Sequence, residues 1–112
     1  MKKFRSKLSD NVYRLVVKTK KIKLKLEVLE KKATMHILIA LLKEGRKTVS
    51  ELIYVLPFSQ TAIYSAKERL EKAGLIKKEI IGEFPKTIIH SLTPKGRKVA
   101  EKLLEIEKIL EN

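Results

Sequence analysis

Residues 59–82 read SQTAIYSAKERLEKAGLIKKEIIG, and the apolar period changes part-way along them. From Gln60 to about Ala73, the residues Ala62, Ile63, Ala66, Leu70 and Ala73 gather on one arc at 100° per residue, the pattern of a helix that faces a core. Ser59 stands where a hydroxyl can accept from the first free backbone N–H groups, and Gly74 stands where the chain leaves the helix. After Gly74 the run 75–81 is rich in strand-forming residues, so the helix hands over to a strand. The opposite arc of the helix carries Gln60, Thr61, Tyr64 and Ser65 in its first two turns, followed by Glu68, Glu71 and Lys72. Gln60 is the only glutamine of a chain in which 35% of residues are Asp, Glu, Lys or Arg. An uncharged patch of donors and acceptors therefore departs from the rest of the surface. Short polar side chains at a helix N-terminus suit a major groove, where they meet base edges while the helix end faces phosphate. A helix packed on another protein element, or plain exposed surface, is the competing reading.

Working outward toward the C-terminus, a second strand-like run at 87–92 follows Gly82-Glu83-Phe84-Pro85-Lys86, which reads as a hairpin with a five-residue loop. Thr93 then caps a last helix with Pro94 at its first position. Toward the N-terminus, ATMHILIALLKEG (33–45) is apolar nearly all round, which predicts a buried helix closed by Gly45 as a left-handed cap. Thr48 and Val49 allow one extended step. Ser50 is expected to cap a second helix, with Leu52, Ile53, Val55 and Leu56 turned inward and Pro57 ending it. Helix, short strand, helix, polar-faced helix, hairpin, helix is the order of a winged helix-turn-helix. The fold class is mainly α with a small β-hairpin wing (α+β) and a long C-terminal helix. The chain divides into a basic N-terminal segment at 1–32, a winged-helix DNA-binding domain at 33–93 and a C-terminal dimerisation helix at 94–112.

The N-terminal segment concentrates the charge. Residues 1–32 hold twelve Lys/Arg against Asp10, Glu27 and Glu30, a net +9, whereas residues 33–112 hold fourteen against ten, a net +4. Within it KIKLKLEV (21–28) alternates apolar and charged residues, which predicts a strand. VYRLVV (12–17) could pair with it as a hairpin through Thr19 and Lys20, or form a helix capped by Ser9 or Asp10. The segment is either an arm for nucleic acid or a solvated charged face.

Composition narrows the classes of function. At 112 residues the chain forms one domain, and a formal charge of +13 with a pI near 10.0 attracts phosphate polyanions or anionic surfaces. With no cysteine, disulfides, thiolate catalysis and cysteine-ligated zinc are excluded. The longest apolar run, 37–42, is too short to span a bilayer, no cleavable signal pattern precedes it, and a cytoplasmic location is expected. The two histidines, His36 and His90, have no Cys or Asp near them in sequence, so neither a metal site nor a catalytic triad is expected, nor any cofactor. The four glycines read as caps and turns rather than a phosphate loop. The chain is not expected to be an enzyme.

RLEKAGLIKKE (69–79) and HSLTPKGRKVAEKL (90–103) resemble winged-helix transcriptional regulators of the MarR and HxlR type, a likeness that runs from about Leu26 to the C-terminus. The resemblance implies that 60–73 is the recognition helix and 82–86 the wing tip, with Gln60, Thr61, Tyr64 and Ser65 toward bases. Arg46, Lys47, Lys67 and Lys86 are then expected near phosphates of double-stranded DNA. It also implies a homodimer. The basic first twenty-odd residues lie outside the family pattern, and the N-terminal cysteine of many HxlR relatives is missing, which removes thiol-based redox sensing. In the last helix Val99, Leu103, Ile106 and Leu110 step by four, three and four, a stripe compatible with a two-stranded seam between copies. Two classes of function stay open: a sequence-specific DNA-binding regulator, and a non-enzymatic architectural DNA-binding or protein-interaction module. The uncharged helix tip favours the first and the +9 segment the second.

Overall fold

The computed structural model describes residues 21–112. The hairpin or helix expected within residues 9–20, and most of the basic arm, lie outside the described residues. A 3-10 segment at Lys25–Glu30 leads into α1 (Thr34–Glu44), α2 (Val49–Val55), α3 (Gln60–Lys72), β1 (Ile76–Ile81), β2 (Thr87–Leu92) and α4 (Pro94–Glu111).

The hub is α1. It packs on α3, on α4, on the 3-10 segment and on β2. Its buried residues Thr34, Ile37, Leu38 and Leu41 form one stripe, which meets Leu52 of α2, Ile63, Ala66 and Leu70 of α3, Leu75, Ile76 of β1 and Ala100 of α4 in one cluster. The expectation of burial all round is corrected: Met35 and His36 are exposed, and His36 lays its ring edge-on against Phe58, with centroids 4.8 Å apart. The Thr34 hydroxyl donates to the carbonyls of Leu29 and Lys31 at 3.0 and 2.8 Å, which ties the 3-10 segment to the start of α1.

That segment overturns the strand expected at 21–28. Val28 and Leu29 are neighbours in sequence, yet Leu29 is buried and Val28 is half-buried against the same cluster. Two consecutive side chains cannot both face inward from a strand, whose residues alternate between faces. A helical turn allows it, and the alternating leucines Leu24 and Leu26 are left exposed. The Glu27 carboxylate accepts the Leu24 N–H at 3.1 Å and closes the turn.

Helix ends were legible in kind, with local shifts. Gly45 does take a positive φ, 83°, but its ψ of −170° is extended rather than left-handed helical, and its N–H donates to the Leu41 carbonyl at 3.0 Å. The cap of α2 is Thr48 rather than Ser50. Its hydroxyl accepts from the Glu51 N–H at 3.1 Å, and the Glu51 carboxylate accepts from the Thr48 N–H at 2.8 Å, a reciprocal capping box. These bonds from the Thr48 backbone and side chain hold the Glu51 carboxyl below the usual carboxylate range. The extended step lies at Lys47, one residue before the expected pair. Of the four residues expected to face inward from α2, Leu52 is buried and Ile53 and Leu56 half-buried, but Val55 is exposed because a helix of two turns covers only one side. Leu56 is extended, as the residue before Pro57 must be, and α2 stops there.

The hairpin pairs in the register Ile76↔Leu92, Lys78↔His90 and Ile80↔Ile88 on one face, with Lys77↔Ser91, Glu79↔Ile89 and Ile81↔Thr87 on the other. Lys47 bridges to the middle of β2: its N–H donates to the His90 carbonyl at 3.0 Å and its carbonyl accepts the His90 N–H at 2.8 Å. The base of the wing is thereby fixed to the loop between α1 and α2. Thr93 caps α4 by accepting the Gly96 N–H at 2.9 Å, and its own hydroxyl donates to the Gly74 carbonyl at 2.6 Å.

Gly96 departs from the cap-and-turn reading of the glycines. It is buried in the first turn of α4, where an added Cβ would overlap the backbone carbonyl of Leu75. The hydrogen of Gly96 is what lets α4 close on the start of the wing. Gly96→Ala is expected to lower stability by on the order of 1–3 kcal/mol, the usual cost of overpacking a core. Urea denaturation checks this: an unchanged midpoint would mean that the helix shifts without strain.

Candidate nucleic-acid interface

The rotation of α3 about its own axis is set by its apolar side. Ile63, Ala66 and Leu70 are all but inaccessible, held against α1, α2 and β1, while Ala62 and Ala73 are half-buried beside them. Ser59 fixes the start, its hydroxyl accepting the Ala62 N–H at 3.2 Å. With one side committed, Gln60, Thr61, Tyr64 and Ser65 must point outward, and all four are exposed. No acidic residue lies in the first turn, so the free N–H groups and the positive end of the helix dipole are left for an anionic partner.

The basic residues separate into two sorts. Arg46 and Lys86 are exposed and outside the ion pairs found among the described residues. Lys47 and Lys67 are already engaged. The Lys47 ammonium lies 3.1 Å from Glu44 with 13% of its side chain exposed, and that of Lys67 lies 3.0 Å from Glu71 with 15% exposed. Both are drawn toward the body of the fold rather than held free beside α3. Two cations that the sequence reading passed over, Lys77 and Lys78 on β1, are exposed along the wing, as is Phe84 at its tip. The two lysines could have been found from the strand period once the hairpin was placed. Phe84 carries no periodic signal.

The proposed seam residues of α4 also separate. Val99 and Leu103 are half-buried against the chain's own core, whereas Ile106, Ile109 and Leu110 stand 51%, 69% and 73% exposed on the last turns. Ile109 was not part of the stripe read from sequence.

His90 is the buried group with the least comfortable surroundings. Its side chain is 1% exposed, and neither ring nitrogen has a hydrogen-bond partner among the described residues. Burial, and then the nearby Lys67 and Lys78 ammonium groups, push its pKa below the ordinary 6.5, with Glu71 and the Lys47 backbone opposing. Among the described residues no group of His, Cys, Asp or Glu could hold a metal ion, and no helix is long and apolar enough to cross a membrane.

The described residues thus form a helix-turn-helix with a two-stranded wing locked to it by a backbone bridge. The HxlR-like helix-turn-helix family model matches residues 28–112. The chain belongs to that family. Among solved structures, this HxlR-like chain is similar to a MarR-family transcriptional regulator from Porphyromonas gingivalis, with 27% identity, coverage of 83% of this chain and 98% of that one, and a TM-score of 0.67. It is also similar to one from Enterococcus faecalis, with 25% identity, 77% and 78% coverage and the same TM-score. The adhesin competence repressor of Streptococcus pyogenes shares the fold at 23% identity and a TM-score of 0.64, over 97% of this chain and 76% of that one. A comparison with curated protein sequences returns no significant match.

The state of His90 has a direct consequence for stability. The unfolded chain takes up the imidazole proton near pH 6.5, whereas the folded chain resists it. The contribution of a neutral His90 is therefore full above about pH 6.5 and is lost as pH falls through the lower folded value. Urea midpoints at pH 7.5, 6.0 and 5.0 are expected to drop more steeply in wild type than in His90→Leu, and parallel profiles would contradict the assignment.

Proposed function

We propose that this HxlR-like protein is a sequence-specific transcriptional regulator that binds double-stranded DNA as a homodimer, with the N-terminal end of α3 in the major groove and the wing on the backbone. The observation that carries the reading is the uncharged, outward arc Gln60, Thr61, Tyr64 and Ser65, fixed in direction by the buried stripe behind it. Phosphate attraction alone gains nothing from such residues, whereas base edges are read by side chains of that kind. Gln60 matches the donor–acceptor pair of adenine, and Tyr64 offers a ring to a thymine methyl or a hydroxyl to a phosphate. Arg46 and Lys86 are the cations free to meet phosphates, and Lys47 and Lys67 can do so only by loosening their pairs with Glu44 and Glu71. The site of action is the cytoplasm, no cofactor is involved and no chemistry is catalysed.

The end of α4 supports the dimer in this reading. At 1.5 Å per residue the helix is about 27 Å long, and its last turns carry Ile106, Ile109 and Leu110 past the edge of the core into solvent. A second copy covers that face most simply. Val99 and Leu103, committed partly to the monomer, continue the stripe inward. Two copies then present two α3 helices to half-sites about one helical turn apart on DNA.

Gln60→Ala is expected to cost roughly 1–3 kcal/mol on the cognate duplex and much less on a scrambled one at the same salt concentration. Equal losses on both would favour the architectural reading, in which the fold coats DNA without reading it. Ile106→Glu combined with Leu110→Glu is expected to give a folded monomer with weaker DNA binding. Sedimentation that finds the wild type monomeric at micromolar concentration would remove the dimer.

A further inference from the structure

His90 sits in the middle of β2 with its side chain 1% exposed, and neither ring nitrogen has a hydrogen-bond partner among the described residues. Its main chain holds the wing in place. The His90 N–H and carbonyl both bond to Lys47, at 2.8 and 3.0 Å, and make the bridge between β2 and the loop that joins α1 to α2. An apolar residue would fill this place at less cost, since a buried imidazole gives up its hydrogen bonds to water and regains none. A titratable group thus occupies the joint on which the direction of the wing depends.

A proton on that ring finds little to relieve it. An imidazolium carries two N–H donors and a full charge. From α3 it faces the ammonium of Lys67 and the carboxylate of Glu71, which are already paired at 3.0 Å. From β1 it faces Lys78, its cross-strand partner. The other elements packed on β2 are as poorly placed to help. Glu44 at the end of α1 holds the Lys47 ammonium at 3.1 Å, and Glu51 of α2 accepts the Thr48 N–H at 2.8 Å. The helix α4 begins Pro94-Lys95-Gly96-Arg97-Lys98, with no acidic residue in its first turn. Burial and the two lysines therefore act together against the charge. The charged ring reaches water only if β2 lifts from the core at His90, and the backbone that lifts is the one bonded to Lys47.

We infer that His90 is a proton-operated latch: protonation of its ring opens the Lys47 bridge, frees the wing from the helix-turn-helix and releases DNA as the medium acidifies. The inference rests on the reading of the protein as a DNA-binding regulator and adds a means of control to it. The wing and the loop that holds Arg46 and Lys47 keep their places beside α3 only while the bridge is closed, so DNA is bound by the neutral form. Linkage then runs both ways: acid weakens DNA binding, and bound DNA makes His90 harder to protonate. The affinity is full above the ordinary imidazole value of 6.5 and falls as pH drops through the lower value of the folded His90.

The test titrates wild type and His90→Phe, which keeps a ring but no titratable nitrogen, against duplex fragments recovered from the source genome with the purified protein. Salt is held fixed and pH is stepped from 7.5 to 5.0. Each protein is referred to its own affinity at pH 7.5, so that general effects of acid on DNA binding cancel. Wild type is expected to lose about 3- to 30-fold more affinity than the variant, the upper figure being the most that one proton on an imidazole can remove by pH 5.0. Two measurements on wild type need no variant. Amide-exchange protection factors at Lys47 and His90 are expected to fall with pH while those of α1 hold, and NMR titration of the His90 ring is expected to show a lower midpoint with DNA bound. Affinity profiles within about twofold of each other, a ring midpoint unmoved by DNA, or protection lost throughout the fold at once would each overturn the latch. The regulator reading stands in those cases if Gln60→Ala still discriminates cognate from scrambled DNA. A wild type that binds no recovered fragment at pH 7.5 overturns both.

Discussion

The packing of Ile63, Ala66 and Leu70 against α1 and α2 is the contact on which the rest depends. Each of these side chains is essentially removed from water, and burying one the size of Leu70 contributes about 1.5–3 kcal/mol. The energetic stake fixes the rotation of α3, and the rotation decides which residues reach a partner. A turn of the helix by one residue, 100°, would bring either Ile63 and Leu70 or Ala62 and Ala66 toward solvent and carry part of the uncharged arc inward. The hydrophobic core is thus what makes Gln60, Thr61, Tyr64 and Ser65 a surface at all. Ser59 and Gly74 mark the ends within which that choice operates.

Around this fixed helix the charge is arranged in layers. The exposed tip of α3 is neutral, the half-buried lysines Lys47 and Lys67 are matched by Glu44 and Glu71, and Arg46, Lys78 and Lys86 are exposed outside the ion pairs of the described residues. Under the proposed reading such an order would separate two tasks, with exposed cations drawing in a polyanion and neutral side chains discriminating once it is close. Close to the hinge of this arrangement sits His90, an imidazole kept neutral by burial at the junction between wing and helix-turn-helix. Burial and the nearby Lys67 and Lys78 ammonium groups outweigh Glu71 and the Lys47 backbone there, so the imidazolium is disfavoured at the junction.

Much of this was legible from sequence, because the elements that matter carry strong periodic or capping signals. The arc of α3, the five-residue wing loop, Pro94 at the start of α4 and the stop at Pro57 all appear where residue chemistry puts them. The failures share a cause. Alternation in KIKLKLEV reads as a strand, but alternation expresses a preference for a pleated surface and cannot supply the neighbouring strand; Val28 and Leu29 instead follow the core. Thr48 displaces Ser50 as cap because Glu51 lies three residues from Thr48 and only one from Ser50. Gly96 and Phe84 were illegible for opposite reasons: one acts through a backbone approach between segments distant in sequence, the other through having no contact at all. Pairing of Lys47 and Lys67 with acids is likewise a property of packing, since a lysine three or four residues from a glutamate can as easily reach into solvent.

The central claim is that the N-terminal end of α3 reads bases from the major groove. It is tested most directly by removing a single acceptor from DNA rather than a side chain from the protein. Replacing adenines of the cognate duplex one at a time by 7-deaza-adenine deletes the N7 that a glutamine amide would engage and leaves pairing and the minor groove unchanged. The account predicts one position at which wild type loses affinity and Gln60→Ala loses no more. Equal losses for both proteins at every position, or no loss at any, would contradict it.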